Sequence, residues 1–378
     1  MLDYLEYRLH KTLLFYVPPL LIAIGTVGNS LSFCVLMRRG MRGLSTYNFL
    51  AVLSLTDLLV LYIGLLRRWL GEITGGDVRD RSDWGCKVIS VVGYTVSMYS
   101  VWLLISVTVE RYIVTVHPLH APTMCTRKRA WRVIAGILFI ITFINIHFLF
   151  TTEIRAYQFG RDYVLACSSA VGWEYLVEVV WPWIDACFYC FAPFVIICIL
   201  NARIVYKVVQ SSHRRDLRYI TPSNNNTSPA CRSNHGSHES SVRLTAMLLS
   251  VSFAFLLCTF PMNVTMIYRA HWEQEDTSFG SIARYTLTRT ISELLMYTQH
   301  SINFFLYLVT GHRFRQELLR MFCFCRERPL PPQPPPHHDH HRDSASTQIS
   351  FVVQRTMSRQ HLQEHLYDQV PLKVLCKD

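Results

Sequence analysis

Charged residues are scarce in this sequence: they make up 17% of its 378 residues, whereas hydrophobic residues make up 51%. Soluble domains carry about 25% charged residues, so the scarcity indicates a membrane protein. Residues 1–11 also lack the short apolar core and the small-residue cleavage site of a secretory signal peptide. We therefore expect residues 1–11 to form an N-terminal extension and the first apolar run to act as its own insertion signal.

Acidic residues are fewer than basic ones, 26 against 37, which gives a net charge of +11. A basic balance can indicate nucleic-acid binding, but here the basic residues lie between apolar runs, so no nucleic-acid partner is expected. A helix needs about 20 mostly apolar residues to cross a bilayer. Seven runs approach this requirement: 12–37, 47–66, 86–116, 131–151, 179–206, 243–268 and 286–309. The sequence thus predicts an all-α fold, a seven-transmembrane helix bundle over residues 12–310.

The loops alternate in their content of arginine and lysine. Arg38, Arg39 and Arg42 follow the first run, and Arg127, Lys128 and Arg129 precede the fourth. Short loops rich in arginine and lysine stay in the cytoplasm. The N-terminus is therefore predicted to be extracellular.

Three segments on the predicted cytoplasmic side complete the domain organisation. The loop 211–241 is rich in Ser, Asn and His, a composition that predicts a flexible linker. Residues 311–325 have apolar residues at helical spacing with basic partners, which predicts a short amphipathic helix on the membrane surface. Its Cys323 and Cys325 are candidates for palmitoylation. The Pro-, His- and Ser-rich residues 326–378 predict a disordered tail.

Several motifs agree in their spacing with one family. The third run ends in Glu110-Arg111-Tyr112 followed by Pro118 and Leu119, the second holds Asp57, and the seventh holds Asn303 to Tyr307. Together they resemble the rhodopsin-like G-protein-coupled receptors over about residues 15–322. The sixth-helix Cys258-Thr259-Phe260-Pro261 and the seventh-helix Asn303-Phe304-Phe305-Leu306-Tyr307 keep only part of the family's motifs.

The resemblance implies a mechanism and a set of roles. Cys86 would form a disulfide with Cys167, and Arg111 would be held by Glu110 until the sixth helix swings about Pro261. Pro118 and Leu119 would contact the G protein, and Asn303 and Tyr307 would belong to the switch. No acidic residue lies in the first turn of the sixth run to hold Arg111, so appreciable ligand-independent activity is expected.

The resemblance also implies that Asp57, Ser100 and Asn303 form a sodium site. The alternative is a protonated, hydrogen-bonded Asp57 without sodium. No other cofactor is implied. Arrestin and receptor kinases would act through the tail, and the receptor would reside in the plasma membrane.

Two absences narrow the ligand class. Gly93 stands where aminergic receptors carry an aspartate, and no lysine occurs between Lys207 and Lys373 to form a retinal Schiff base. A peptide ligand is favoured, because the outer ends of the runs carry aromatic residues and both positively and negatively charged residues. The candidate ligand-binding residues are Arg67, Arg68, Asp185, Tyr189, Tyr268, Glu293 and Tyr297. Asp185 and Glu293, acids within a span, are the best candidates to bind a basic or amidated peptide.

The partial motifs of the sixth and seventh runs are similar to those of invertebrate neuropeptide receptors, including receptors for RFamide-type peptides. A receptor for a non-peptide ligand remains an alternative, as does a polytopic transporter or channel. No inverted repeat or ring of charges favours the latter. No nucleophile and base pattern within the runs indicates an enzyme.

Overall fold

The computed structural model describes residues 4–41, 43–159, 162–220, 234–275 and 278–322. Seven long helices follow one another along the chain, and a short eighth follows the last of them. They are α1 (Leu5–Leu36), α2 (Ser45–Thr74), α3 (Asp83–Val116), α4 (Arg127–Thr151), α5 (Tyr175–Ile220), α6 (Asn234–Glu275), α7 (Phe279–Thr310) and α8 (His312–Phe322).

Helix α3 lies at the centre of the bundle, in contact with α2, α4, α5 and α6. Helix α1 packs against α2 and α7, and α6 packs against α7. Residues Met1–Leu319 form one compact unit. Of the second unit, Arg320–Asp378, the structure describes only the last three residues of α8.

Six of the seven helices, within the described residues, are long and apolar enough to cross a membrane. Helix α7 falls outside that group, although its 32 residues would reach about 48 Å at 1.5 Å per residue. Its buried side chains include Glu293, Gln299, His300 and Asn303, and such residues lower its hydropathy while facing the bundle rather than lipid.

The helices are longer than the apolar runs that predicted them. Residues 1–11 were expected to precede the first helix, but α1 begins at Leu5. The loop 211–241 was expected to be a flexible linker, yet α5 continues to Ile220 and α6 begins at Asn234. Extending an existing helix is far easier than nucleating one, so polar residues next to a span continue its helix even where composition favours a linker.

A β-hairpin, absent from the all-α prediction, lies between α4 and α5. Its strands are β1 (Thr152–Phe159) and β2 (Asp162–Ser169), which pair antiparallel with Ile154 opposite Cys167. Cys167 forms the predicted disulfide with Cys86 at the start of α3. The disulfide is thereby confirmed, and it fixes the hairpin to the start of the central helix. The end of the bundle that carries this disulfide is called the outer end below, and the opposite end is called the inner end.

Trp181, an aromatic residue of α5, lies in the protein interior. Its side chain is only 4% exposed, and its ring meets Phe148 and Tyr94 edge to face at centroid distances of 5.2 and 6.1 Å. Tyr94 and Phe148 in turn stack at 4.6 Å. These rings join the outer ends of α3, α4 and α5 in one aromatic cluster.

Candidate functional site

Arg111 and Glu110 lie buried at the inner end of α3, 5% and 7% exposed. Ser45 and Thr46, at the start of α2, donate hydroxyl hydrogen bonds to the two carboxylate oxygens of Glu110. Arg111 Nη2 donates to Thr46 Oγ1 and lies 3.9 Å from Glu110 Oε2. The Thr46 hydroxyl therefore bridges the guanidinium and the carboxylate. Sequence reasoning paired Arg111 with Glu110 alone and missed Thr46.

A small cleft opens beside Arg111 between α3, α5 and α6. The hydroxyls of Thr108 and Ser252 lie 3.3 Å apart and join α3 to α6 next to this cleft. The other lining residues are Asn201, Ile204, Thr245, Leu248 and Leu249. The side chain of Glu239, the acid nearest to this end of α6 in sequence, lies outside the described part.

The segment after α3 exposes a large apolar side chain. Helix α3 ends at Val116, and Tyr112 packs edge to face against His117 with 5.6 Å between the ring centroids. Pro118 follows, and Leu119 is 90% exposed. Leu119, predicted to contact a G protein, is thus accessible to a partner.

Asp57 lies at the middle of the bundle and is fully buried. Ser100 Oγ donates to its Oδ1 at 2.7 Å, and Asn303 Nδ2 donates to its Oδ2 at 2.7 Å. The structure thus brings together the three residues of the expected sodium site. It adds His300, whose Nδ1 lies 2.7 Å from Asp57 Oδ1. One helical turn separates His300 from Asn303, so helical spacing alone could have identified it.

The inner end of α7 packs closely against α1 and α8. A Cβ atom at Gly28 would lie 2.9 Å from Phe304 Cβ, so the glycine permits this approach. Tyr307 is fully buried, with its ring 5.6 Å from that of Phe314. Arg315 Nη1 donates to the carbonyl oxygen of Leu308 at 3.0 Å and so satisfies a free carbonyl at the end of α7.

Glu293 lies near the outer end of α7 between two arginines. Arg289 Nε, one turn earlier, is 2.9 Å from its Oε1, and Arg68 Nε is 2.9 Å from its Oε2. Two guanidinium groups facing one carboxylate leave an excess of positive charge. Glu293, predicted to bind a basic ligand, is therefore already neutralised by residues of the bundle.

Arg67 pairs with a loop acid. It forms an ion pair with Asp77, which also lies 3.1 Å from Arg79 Nη2. Burial opposes ionisation of Asp77, but the hydrogen bond from the Arg79 backbone N–H and the charges of Arg67 and Arg79 outweigh it. They hold the pKa of the Asp77 carboxyl below its usual value.

Asp185 differs from Asp77 and Glu293, because its side chain has no hydrogen bond or ion pair within the part of the chain that the structure describes. It directly precedes a π-helical turn, Ala186–Phe191, that contains the buried Tyr189. A second π-helical turn, Leu61–Leu66, directly precedes Arg67. Such turns are frequent at functional sites, since the extra residue changes the face on which side chains lie.

Tyr297 is the last described candidate of the outer half. A Cβ atom at Gly64 would lie 2.7 Å from Tyr297 Oη, so the glycine of the π-helical turn allows α7 to approach α2. The side chain of Tyr268, and Cys323 and Cys325 altogether, lie outside the described residues. The candidate outer site therefore comprises Arg67, Arg68, Asp185, Tyr189, Glu293 and Tyr297.

Comparison with known proteins gives one family. The model of the 7 transmembrane receptor (rhodopsin family) matches residues 28–307. The FMRFamide receptor of Drosophila melanogaster is 26% identical over 315 residues, which is 79% of this chain but 52% of that receptor. The chain thus spans about half the length of this relative. The resemblance predicted from the motifs is confirmed.

Two mammalian receptors are similar over more of their own length. Human neuromedin-U receptor 2 is 22% identical over 79% of this chain and 68% of that receptor. Mouse neurotensin receptor type 1 is 24% identical over 81% of this chain and 74% of that receptor. All three relatives are receptors named for peptides.

Proposed function

We propose, from the premise that this chain belongs to the rhodopsin family of seven-transmembrane receptors, that it binds an extracellular neuropeptide and activates a heterotrimeric G protein. The chain is a multi-pass membrane protein, and its family consists of receptors and not enzymes. The names of its relatives support a peptide ligand. Family membership also disfavours the transporter and channel alternative.

The observation that carries the proposal is the charge pattern of the outer half. Arg68 and Arg289 together outweigh Glu293, while Asp185 on α5 has no partner among the described residues. A peptide carries separated charged and aromatic groups that match such a surface. A small apolar ligand has no charged groups that could pair with these side chains. Asp185 would then receive a cationic group of the peptide, with Tyr189 and Tyr297 beside the ligand.

The orientation proposed for the receptor depends on the two opposite ends of the bundle. One end carries the basic loops with Arg38, Arg39 and Arg127, and such loops stay in the cytoplasm. The other carries the Cys86–Cys167 disulfide, and disulfides persist in oxidising compartments. The start of α1 shares the side of the disulfide, so the N-terminus would be extracellular and the receptor would reside in the plasma membrane.

The inner end of the bundle supports signalling to a G protein. Release of Arg111 from the Thr46 bridge, with outward movement of α6 about Pro261, would widen the cleft between α3, α5 and α6. The exposed Leu119 would then contact the G protein. Tyr307, buried at the inner end of α7, would change partners in the same movement.

Further partners are proposed from the C-terminal sequence. The Ser and Thr residues of the tail 326–378 are potential sites for receptor kinases, after which arrestin would bind. Cys323 and Cys325 would anchor the end of α8 by palmitoylation in the surrounding membrane lipid.

The direct test is a screen of a neuropeptide library against cells that express the full chain. Calcium and cyclic AMP reporters would record G-protein signalling, and untransfected cells would serve as the control. We expect at least one basic or amidated peptide to produce a saturable response. Ion currents or solute uptake, without any peptide-stimulated nucleotide exchange, would contradict the proposal.

A further inference from the structure

The carboxylate of Asp57 is fully occupied by side chains of the bundle. Its Oδ1 accepts from Ser100 Oγ at 2.7 Å and lies 2.7 Å from His300 Nδ1, and its Oδ2 accepts from Asn303 Nδ2 at 2.7 Å. All four side chains are at most 1% exposed. Ser100 and Asn303, and the His300 ring when its hydrogen is on Nδ1, thus donate to one acid of α2.

This arrangement does not fit a sodium ion. A hard cation such as sodium is held by several oxygen ligands, whereas His300 and Asn303 turn nitrogen donors towards the carboxylate. The positive end of an N–H bond attracts the acid and repels a cation. The imidazole Nδ1, 2.7 Å from Asp57 Oδ1, therefore occupies a position that a sodium ion bound to this oxygen would need.

The position of His300 is fixed from a second side. Asn29 Nδ2, on α1, donates to the backbone carbonyl oxygen of His300 at 2.8 Å. Ser100 Oγ lies 3.5 Å from His300 Nδ1, so the hydroxyl and the ring meet at the same carboxylate oxygen. Helices α1, α2, α3 and α7 all contribute to this network, which leaves the ring little freedom to withdraw from Asp57.

We propose that His300 replaces sodium in this receptor. The ring supplies the donor that Asp57 needs in the membrane interior, where an unpaired carboxylate is costly. Its contact with Asp57 also connects α7 to α2, as a bound sodium ion would otherwise do. Unlike an ion, the ring is covalently attached and cannot dissociate. Stability and agonist affinity are therefore independent of the extracellular sodium concentration.

The test needs no ligand and so does not depend on the peptide proposal. The thermal unfolding of the purified full-length receptor is measured in sodium chloride and in N-methyl-D-glucamine chloride at equal ionic strength. We expect the same melting temperature for the wild type in both salts. The His300→Ser variant leaves the oxygens of Asp57, Ser100 and the new serine facing an open space. Sodium should raise its melting temperature by several degrees, and the double variant His300→Ser/Asp57→Asn should lose that rise.

Two results would overturn the proposal. One is a wild type whose melting temperature rises with sodium and loses that response on Asp57→Asn. The other is a folded His300→Ser variant that stays indifferent to sodium. If His300→Ser does not fold, His300→Asn, which keeps an amide oxygen near Asp57, takes its place with the same two outcomes. His10→Ser, at a buried histidine of the outer half that contacts Thr290 at 2.7 Å, is the matched control and should show no sodium response.

Discussion

The inner and outer halves of the bundle hold most of their acidic side chains in different ways. At the inner end Ser45 and Thr46 donate to Glu110, and at the middle of the bundle Ser100 and Asn303 donate to Asp57 beside His300, although Arg38 and Glu317 form an ion pair at the inner end. Hydrogen bonds to charged groups contribute about 1.5–3 kcal/mol each. A network of such bonds can exchange partners at small cost, as a switch must.

In the outer half, charges are paired mainly with opposite charges. Lys11 Nζ lies 2.5 Å from Glu72 Oε1, Arg155 Nη1 lies 2.9 Å from Glu174 Oε1, and Glu293 faces two arginines. These pairs fix the outer ends of the helices and the hairpin. Among the candidate acids, Asp185 differs from Glu293 in having no side-chain partner within the described residues. The contrast supports the proposal that the inner half switches and the outer half recognises the ligand.

The largest effect that tests this contrast is expected at Asp185. Asp185→Asn should reduce the potency of a cationic peptide agonist by roughly 10- to 100-fold, because a hydrogen bond to a charged group contributes about 1.5–3 kcal/mol. Glu293→Gln should reduce it less, since Arg68 and Arg289 already neutralise that acid. Dose–response curves of the two variants, corrected for surface expression, give the comparison. Equal losses of potency in the two variants, or a larger loss in Glu293→Gln, would contradict the distinction between Asp185 and Glu293.

A smaller effect is expected at Thr46. Thr46→Val keeps the shape of the side chain but removes the hydroxyl that bridges Glu110 and Arg111. A hydrogen bond to a charged group contributes about 1.5–3 kcal/mol. Because Ser45 still binds Glu110, we expect only part of this to be lost from the inactive state, so that ligand-independent nucleotide exchange rises by roughly 2- to 10-fold. Thr56→Val is the control, because the described hydrogen bond of Thr56 goes to Val52 within α2. Unchanged basal exchange in Thr46→Val would show that the bridge does not restrain Arg111.

The smallest effect is expected at Asp77, outside the membrane. The pKa of its carboxyl is below the usual value of 3.8 in the folded protein, so its stabilisation is fully present above 3.8 and disappears as the pH falls through the folded pKa. Asp77→Asn should lower the free energy of unfolding by about 1 kcal/mol or less at neutral pH. Melting temperatures of both proteins should differ equally at pH 5 and pH 7 and converge in stronger acid. A difference that grows as the pH falls would contradict this sign.

Hydropathy was sufficient to predict the seven helices, and the resemblance to the rhodopsin-like receptors implied the disulfide and the role of Arg111. Long apolar runs specify spans because lipid leaves few alternatives. The extension of α5 and α6 was not predicted, because it depends on helix propagation. The hairpin was not predicted either, because it depends on pairing between strands that the disulfide fixes to α3. Thr46 was missed because it lies 64 residues from Glu110 in the sequence, and only the packing of α2 against α3 shows that the two meet. Helical spacing from Asn303 could have placed His300 on the same face of α7, as noted above.

The central claim is that a peptide bound at the outer half acts through Arg111 at the inner half. The most direct measurement is peptide-stimulated nucleotide exchange on a G protein by the purified receptor in lipid vesicles, compared between wild type, Arg111→Ala and the exposed control Arg132→Ala. We predict that all three bind the peptide, that wild type and Arg132→Ala stimulate exchange, and that Arg111→Ala does not. Full exchange by Arg111→Ala, or binding of the peptide without exchange by the wild type, would contradict the account.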